Sequence, residues 1–259
     1  MFERLRRWRR ERTLERAALP EALWEEAVAR LPFLRVYQAV ERNKLRELVT
    51  LFLSEKGIVG ARDFEVTPLM RVIIAIQACV LILELDLGWY EGWENVVVYP
   101  DEFVPGYEYE DEAGVVHVRD EALAGEAWEG GPVLLSWADV EASADWDTTG
   151  MNLVIHEFAH KLDMANGAVD GMPPLPAAMS SAHWAEALSA AFKDFCLRVD
   201  DGEHTAIDPY AAENPAEFFA VVSEVFFAAP RLLQAEYPAV YEQLAAFYRQ
   251  DLAARSSIL

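Results

Sequence analysis

Along most of this chain apolar residues recur at the three- and four-residue spacing of helices, and only its middle alternates in short runs. A short basic helix is expected first. A second, over residues 20–30, opens with a proline in its first turn, and Pro32 separates it from a longer one over 34–54. In that third helix Leu45, Leu48, Val49, Phe52 and Leu53 form one stripe, and Lys44, Arg46, Glu47 and Glu55 mostly fall outside it. Residues 56–60 read as a loop, and Thr67-Pro68 as the start of a helix through the apolar segment 69–85. Arg71, Gln77 and Glu84 interrupt that segment, which is too short to cross a bilayer comfortably; it reads as a buried helix, not a membrane span.

From Gly92 onward the period shortens, and β-like runs are expected at 95–99, 107–109, 115–119 and 132–137, with a turn at 111–114. A loop over 139–150 leads into a second strongly apolar helix, and Gly and Pro make 165–176 a loop. Helices over 181–198, 215–228 and 238–254 complete the pattern. The fold class expected is α+β, mostly helical. A helical scaffold (21–90), a small antiparallel sheet (92–140) and metal-site helices (150–259) make one unit, and 1–20 is a basic leading segment.

The candidate chemistry sits in the helix after the sheet, Asn152-Leu-Val-Ile-His-Glu-Phe-Ala-His-Lys-Leu-Asp163, an HExxH pattern. Residues four apart share a helix face, so His156 and His160 can offer imidazole nitrogens to one ion, and Glu157 can reach a water beside it. Zinc suits two imidazoles and a carboxylate with a fourth position left open. Asp147, Thr148 and Thr149 are candidate caps. Two histidines and a glutamate among Leu153, Val154, Ile155, Phe158, Ala159 and Leu162 would be costly without a partner.

The longer HExxHxxGxxH pattern is absent, because Asp163 and Asn166 stand where it needs glycine and histidine. The third ligand must come from elsewhere: His183, His204, Glu213, Glu217 and Glu224 are candidates, His117 in the sheet a less natural one. Glu217 and Glu224 lie seven apart on one apolar helix, hence on one face. Glu217 has two readings, a metal ligand or a capping-box residue after Asn214-Pro215. Asp163 and Glu224 are candidates for hydrogen bonds that hold the imidazoles. Strand addition at an edge beside the metal is the general mode by which zinc peptidases hold substrate, and 131–137 is the candidate edge.

Composition narrows the classes. With 259 residues, 53% hydrophobic and 12% aromatic, the chain can bury a sizeable core. Residues 1–62 carry 14 Lys+Arg against 9 Asp+Glu, net +5, and the remainder carries net −27 within the overall −22. Such acidity argues against direct nucleic-acid binding, while the arginines at 4, 6, 7, 9, 10 and 12 read as a solvated, partly frayed end. No apolar export segment follows them, so a cytoplasmic protein is expected, with Cys79 and Cys196 as buried thiols, not a disulfide.

The block from Gly150 to Asp163, together with Asp208-Pro-Tyr-Ala-Ala-Glu-Asn-Pro-Ala-Glu-Phe-Phe-Ala-Val-Val-Ser-Glu-Val-Phe-Phe227, resembles the Mlc titration factor A family of bacterial zinc peptidases. The segments 95–99 and 131–137 are also similar, so the likeness covers most of residues 30–250. It implies one zinc per chain held by His156, His160 and Glu217, with Glu157 as general base and Tyr210 beside the reacting carbonyl. It also implies aminopeptidase-type activity on small substrates. The alternative it carries is a regulatory protein that sequesters a transcriptional repressor.

Overall fold

In the computed structural model, which describes residues 2–103, 108–110, 116–118, 123–143 and 151–255, the first third of the chain is helical, as its apolar stripes predict. Helices α1 (Phe2–Arg16), α2 (Glu21–Ala29), α3 (Ala39–Glu55) and α4 (Pro68–Leu81) follow one another. The helix expected over 34–54 divides: Pro32–Val36 is a 3-10 turn, and α3 starts afresh at Gln38, which forms a reciprocal cap with Glu41. Tyr37 between them is extended, which sends its ring into the core, where its hydroxyl donates to Gln250 Oε1 at 2.9 Å. The start of α4 is as expected, with Thr67 Oγ1 accepting from Met70 N at 3.2 Å; the helix stops at Leu81, short of residue 85.

Residues 57–60 correct the expected loop, since they form strand β1 (Gly57–Gly60). Five strands follow: β2 (Asn95–Tyr99), β3 (Glu108–Glu110), β4 (Val116–Val118), β5 (Gly125–Ala127) and β6 (Val133–Ser136). β3 and β4 pair antiparallel near their expected runs, and the turn expected at 111–114 lies outside the described residues. The other four form one sheet in the order β1-β2-β6-β5. This sheet is mixed, which corrects the antiparallel expectation: β2 runs parallel to both β1 and β6, and only β5 is antiparallel to β6. The cause is a connection. α4 carries the chain back between β1 and β2, and a crossover of that length makes neighbours parallel, which strand periodicity cannot reveal.

A second correction concerns the edge. β6 is central, between β2 and β5, with all four residues buried as in a strand covered on both faces. β5, only Gly-Glu-Ala, has no strand signal of its own, yet it ends the sheet among the described residues. Trp137 starts a helix, α5 (Trp137–Ala142), capped by Ser136 Oγ, so the expected loop is helical at its beginning; Asp147, Thr148 and Thr149 lie outside the described residues.

Helices α6 (Leu153–Asp163), α7 (Ser181–Asp200), α8 (Pro215–Ala228), α9 (Pro230–Glu236), α10 (Pro238–Tyr248) and α11 (Leu252–Arg255) complete the chain. α9, set off by Pro230 and Pro238, was not expected, and Arg249 at φ 56° ends α10 where a helix to 254 was expected. One contiguous core runs from Leu19 to Ala253. Within it Phe158 of α6 meets Phe52, Tyr90 and Trp93 at centroid distances of 5.9, 5.2 and 5.7 Å. The last two are edge-on and the first is tilted; aromatic pairs of this kind add about 0.5–1.5 kcal/mol each beyond burial, and here they fix the back of the histidine helix. Cys79 is buried and Cys196 half-buried, both as free thiols. No helix among the described residues is long and apolar enough to cross a membrane.

Candidate metal centre

α6 is capped by Asn152. Its Oδ1 accepts from Ile155 N at 3.0 Å, and its Nδ2 donates to Oε1 of Gln77 in α4 at 2.7 Å. The backbone N–H of Asn152 donates to Glu224 Oε2, so a carboxylate from α8 closes the first turn of α6. An asparagine immediately before an apolar run is the signal that would have found this cap.

Four apart on α6, His156 and His160 turn toward α8, where Glu217 projects between them. His156 Nε2 lies 3.0 Å and His160 Nε2 3.3 Å from Glu217 Oε2, and the two ring nitrogens are 3.1 Å apart. Among the described residues this is the one group of three potential ligands that converges. Cap and ligand are separated on α8: Asn214 Oδ1 accepts from Ala216 N and Glu217 N, which leaves the Glu217 carboxylate to face the imidazoles. His183, His204 and Glu213 are exposed and lie outside the group, and the His117 side chain is outside the described part.

The donor set suits a cation. Glu224 Oε1 lies 2.7 Å from His156 Nδ1, which makes that nitrogen the donor and aims the Nε2 lone pair at Glu217. Two acceptors then face each other across 3.0 Å. They need positive charge between them, and tetrahedral ligands on bonds of about 2 Å sit roughly 3.3 Å apart, as these three nearly do. Without a metal, protons supply that charge: burial pulls the His156 ring down, but hydrogen bonds to Glu217 and Glu224 outweigh it and hold its pKa well above the usual imidazole range. Burial alone would raise Glu217, and its two imidazole partners keep it far below the ordinary carboxylate value. Asp163 does not reach an imidazole; its Oδ2 accepts from Gly171 N at 2.8 Å and so fastens the following loop.

Glu157, one residue on from His156, is buried, and burial lifts its pKa from 4.5 to about 7 against the pull of the two imidazoles. Its Oε2 is buried with no hydrogen-bond partner among the described residues. Gly125 of β5 closes over it: a Cβ there would stand 2.9 Å from Glu157 Cδ and 2.7 Å from Leu153 Cδ1. Composition and periodicity hold no sign of this contact, which only the approach of strand to helix creates. Tyr210, in the 3-10 turn Pro209–Ala212 capped by Asp208, is half-exposed with its ring 6.0 Å from that of His156.

β5 also presents backbone. Ser136 N donates to Ala124 O at 2.7 Å and Trp128 N to Pro132 O at 3.1 Å, so pairing alternates and Gly125 and Ala127 turn their N–H and C=O away from β6, toward an edge on which no further strand pairs with β5 among the described residues.

Comparison with known proteins gives a consistent picture. The sequence profile of a family described as glucose-regulated metallo-peptidase M90 matches residues 5–249. A protein of Klebsiella pneumoniae subsp. pneumoniae named Mlc titration factor A is 41% identical over 238 residues, 91% of this chain and 88% of its own. Proteins of the same name from Edwardsiella ictaluri and Salmonella gallinarum are 40% and 42% identical, covering 94% and 90% of this chain and 92% and 87% of theirs.

Proposed function

The chain belongs to the glucose-regulated metallo-peptidase M90 family, and from that premise we propose that it is a zinc-dependent peptidase of aminopeptidase type, with residues 21–259 as one catalytic unit. The observation that carries this reading is the convergence of His156, His160 and Glu217 beside a buried glutamate of raised pKa. In it those three residues hold the ion, and Glu224 keeps the His156 ring in the tautomer that ligation requires. A bound zinc would supply positive charge to polarise a peptide carbonyl and acidify the attacking water. Glu157 accepts the proton of that water as its oxygen attacks, then passes the proton to the departing amine. Tyr210 donates its phenolic hydrogen to the oxyanion that develops. An extended substrate pairs with Gly125 and Ala127 along the outer edge of β5, the role that the sequence pattern assigns to residues 131–137.

Incubating the zinc-loaded chain with a mixture of peptides and reading the products by mass spectrometry tests this. Removal of single residues from the amino end supports the reading, cleavage inside the peptides corrects its exo character, and intact peptides sink it. Two substitutions probe the roles. Tyr210→Phe lowers kcat by about 10²-fold with zinc content unchanged, the usual loss for one oxyanion donor. Gly125→Ala displaces the Glu157 carboxylate and lowers kcat by roughly 10–100-fold, since misplacing a reacting group by about 1 Å costs that much.

The name of the relatives, Mlc titration factor A, favours one further reading, a protein that sequesters a transcriptional regulator with peptide hydrolysis secondary. A variant without catalysis separates the two.

A further inference from the structure

Lys161 directly follows the second histidine of the cluster, yet it is 4% exposed. Its Nζ donates to Trp128 O at 2.6 Å and Gly131 O at 3.0 Å, both in the turn joining β5 to β6, and lies 5.1 Å from the Trp93 ring. Burying an ammonium is costly, and an apolar side chain would fill the same volume more cheaply if packing were its whole purpose. Position explains the choice. Leu153, Glu157 and Lys161 stand four apart, so one face of α6 is turned to the hairpin while His156 and His160 face α8. Leu153 and Glu157 meet Gly125 at the start of β5, and Lys161 ties down the turn beyond its end.

We infer that Lys161 is a positioning residue, which locks the β5–β6 hairpin to the histidine helix and so sets where a substrate on the β5 edge stands relative to Glu157. The inference rests on the peptidase reading for its substrate, but the lock can be measured without catalysis. The experiment is hydrogen exchange on the zinc-loaded full chain, native and Lys161→Met, with kinetics on a cleaved peptide. Amides of residues 124–136 in the variant exchange about tenfold faster or more, while those of α4 keep their native rates. KM rises about tenfold, kcat changes much less, and zinc content stays native, a split that general destabilisation would not produce. Lys161→Arg, which can still donate to both carbonyls, restores part of the KM.

Native exchange and native KM in a folded Lys161→Met chain would overturn the inference. If that variant does not fold, the native chain decides: hairpin amides exchanging with those of α6 uphold the lock, and hairpin amides far faster than α6 refute it. A native chain that cleaves no peptide removes the peptidase reading and the substrate role with it, whereas the exchange rates still report the lock.

Discussion

Replacing Glu157 by glutamine lowers kcat/KM on a cleaved peptide by about 10³-fold, within the range a positioned general base supplies, and leaves about one metal ion per chain. Glutamine keeps the shape that fits under Gly125 and loses only the ability to take a proton. The metal ligands are untouched, so a regulator-binding activity would survive the change; hydrolysis surviving it would refute the mechanism. The pH dependence follows from the same burial. A carboxyl raised to about 7 is protonated, and useless as a base, on the acid side; a bound cation draws its pKa down. The native rate profile therefore has an acid limb at or below about pH 7, which the glutamine variant lacks. Stability carries the opposite sign. A folded pKa above the 4.5 of the unfolded chain means that the folded state holds the extra proton between 4.5 and about 7, so this contribution is present below that window and lost as pH rises through it. Denaturant titrations of the metal-free chains should show Glu157→Gln gaining on the native protein from pH 5 to pH 8.

Glu217→Ala should empty the centre: elemental analysis finds about one zinc per native chain and much less in the variant under the same loading. The loss exceeds the roughly 10–100-fold in affinity expected of Glu224→Ala, which removes a ligand's hydrogen-bond partner and not a ligand. α8 itself survives, since its cap belongs to Asn214, so lost metal cannot be put down to a lost helix. Undiminished zinc in Glu217→Ala would mean that the third ligand lies elsewhere.

The candidate site was more legible than the sheet around it. His156 and His160 share a face because a helix repeats every 3.6 residues, and Glu217 and Glu224 do so for the same reason, so each pair is readable without a partner in view. Which carboxylate takes which task was not readable. Both face the histidines, and the packing of α6 against α8 sends Glu217 to the Nε2 atoms and Glu224 to Nδ1 and the cap. Lys161 offered a faint signal, a lone cation on an apolar helix, but its partners are carbonyls 33 and 30 positions away.

Local spacing alone dictates α2, α4, α6, α7 and α8, among them the two helices that bring imidazoles and carboxylates, α6 and α8; their hydrogen bonds join residues four apart, and their buried faces are written in the same few turns. Strand order, strand direction and the identity of the open edge belong to the folded molecule. A strand bonds only to a distant neighbour, so β5, three residues without apolar alternation, becomes the edge beside Glu157 through its register with β6 and the room that Gly125 leaves against α6. The helices could be read one at a time; the close approach of strand to helix exists only once the core has set both.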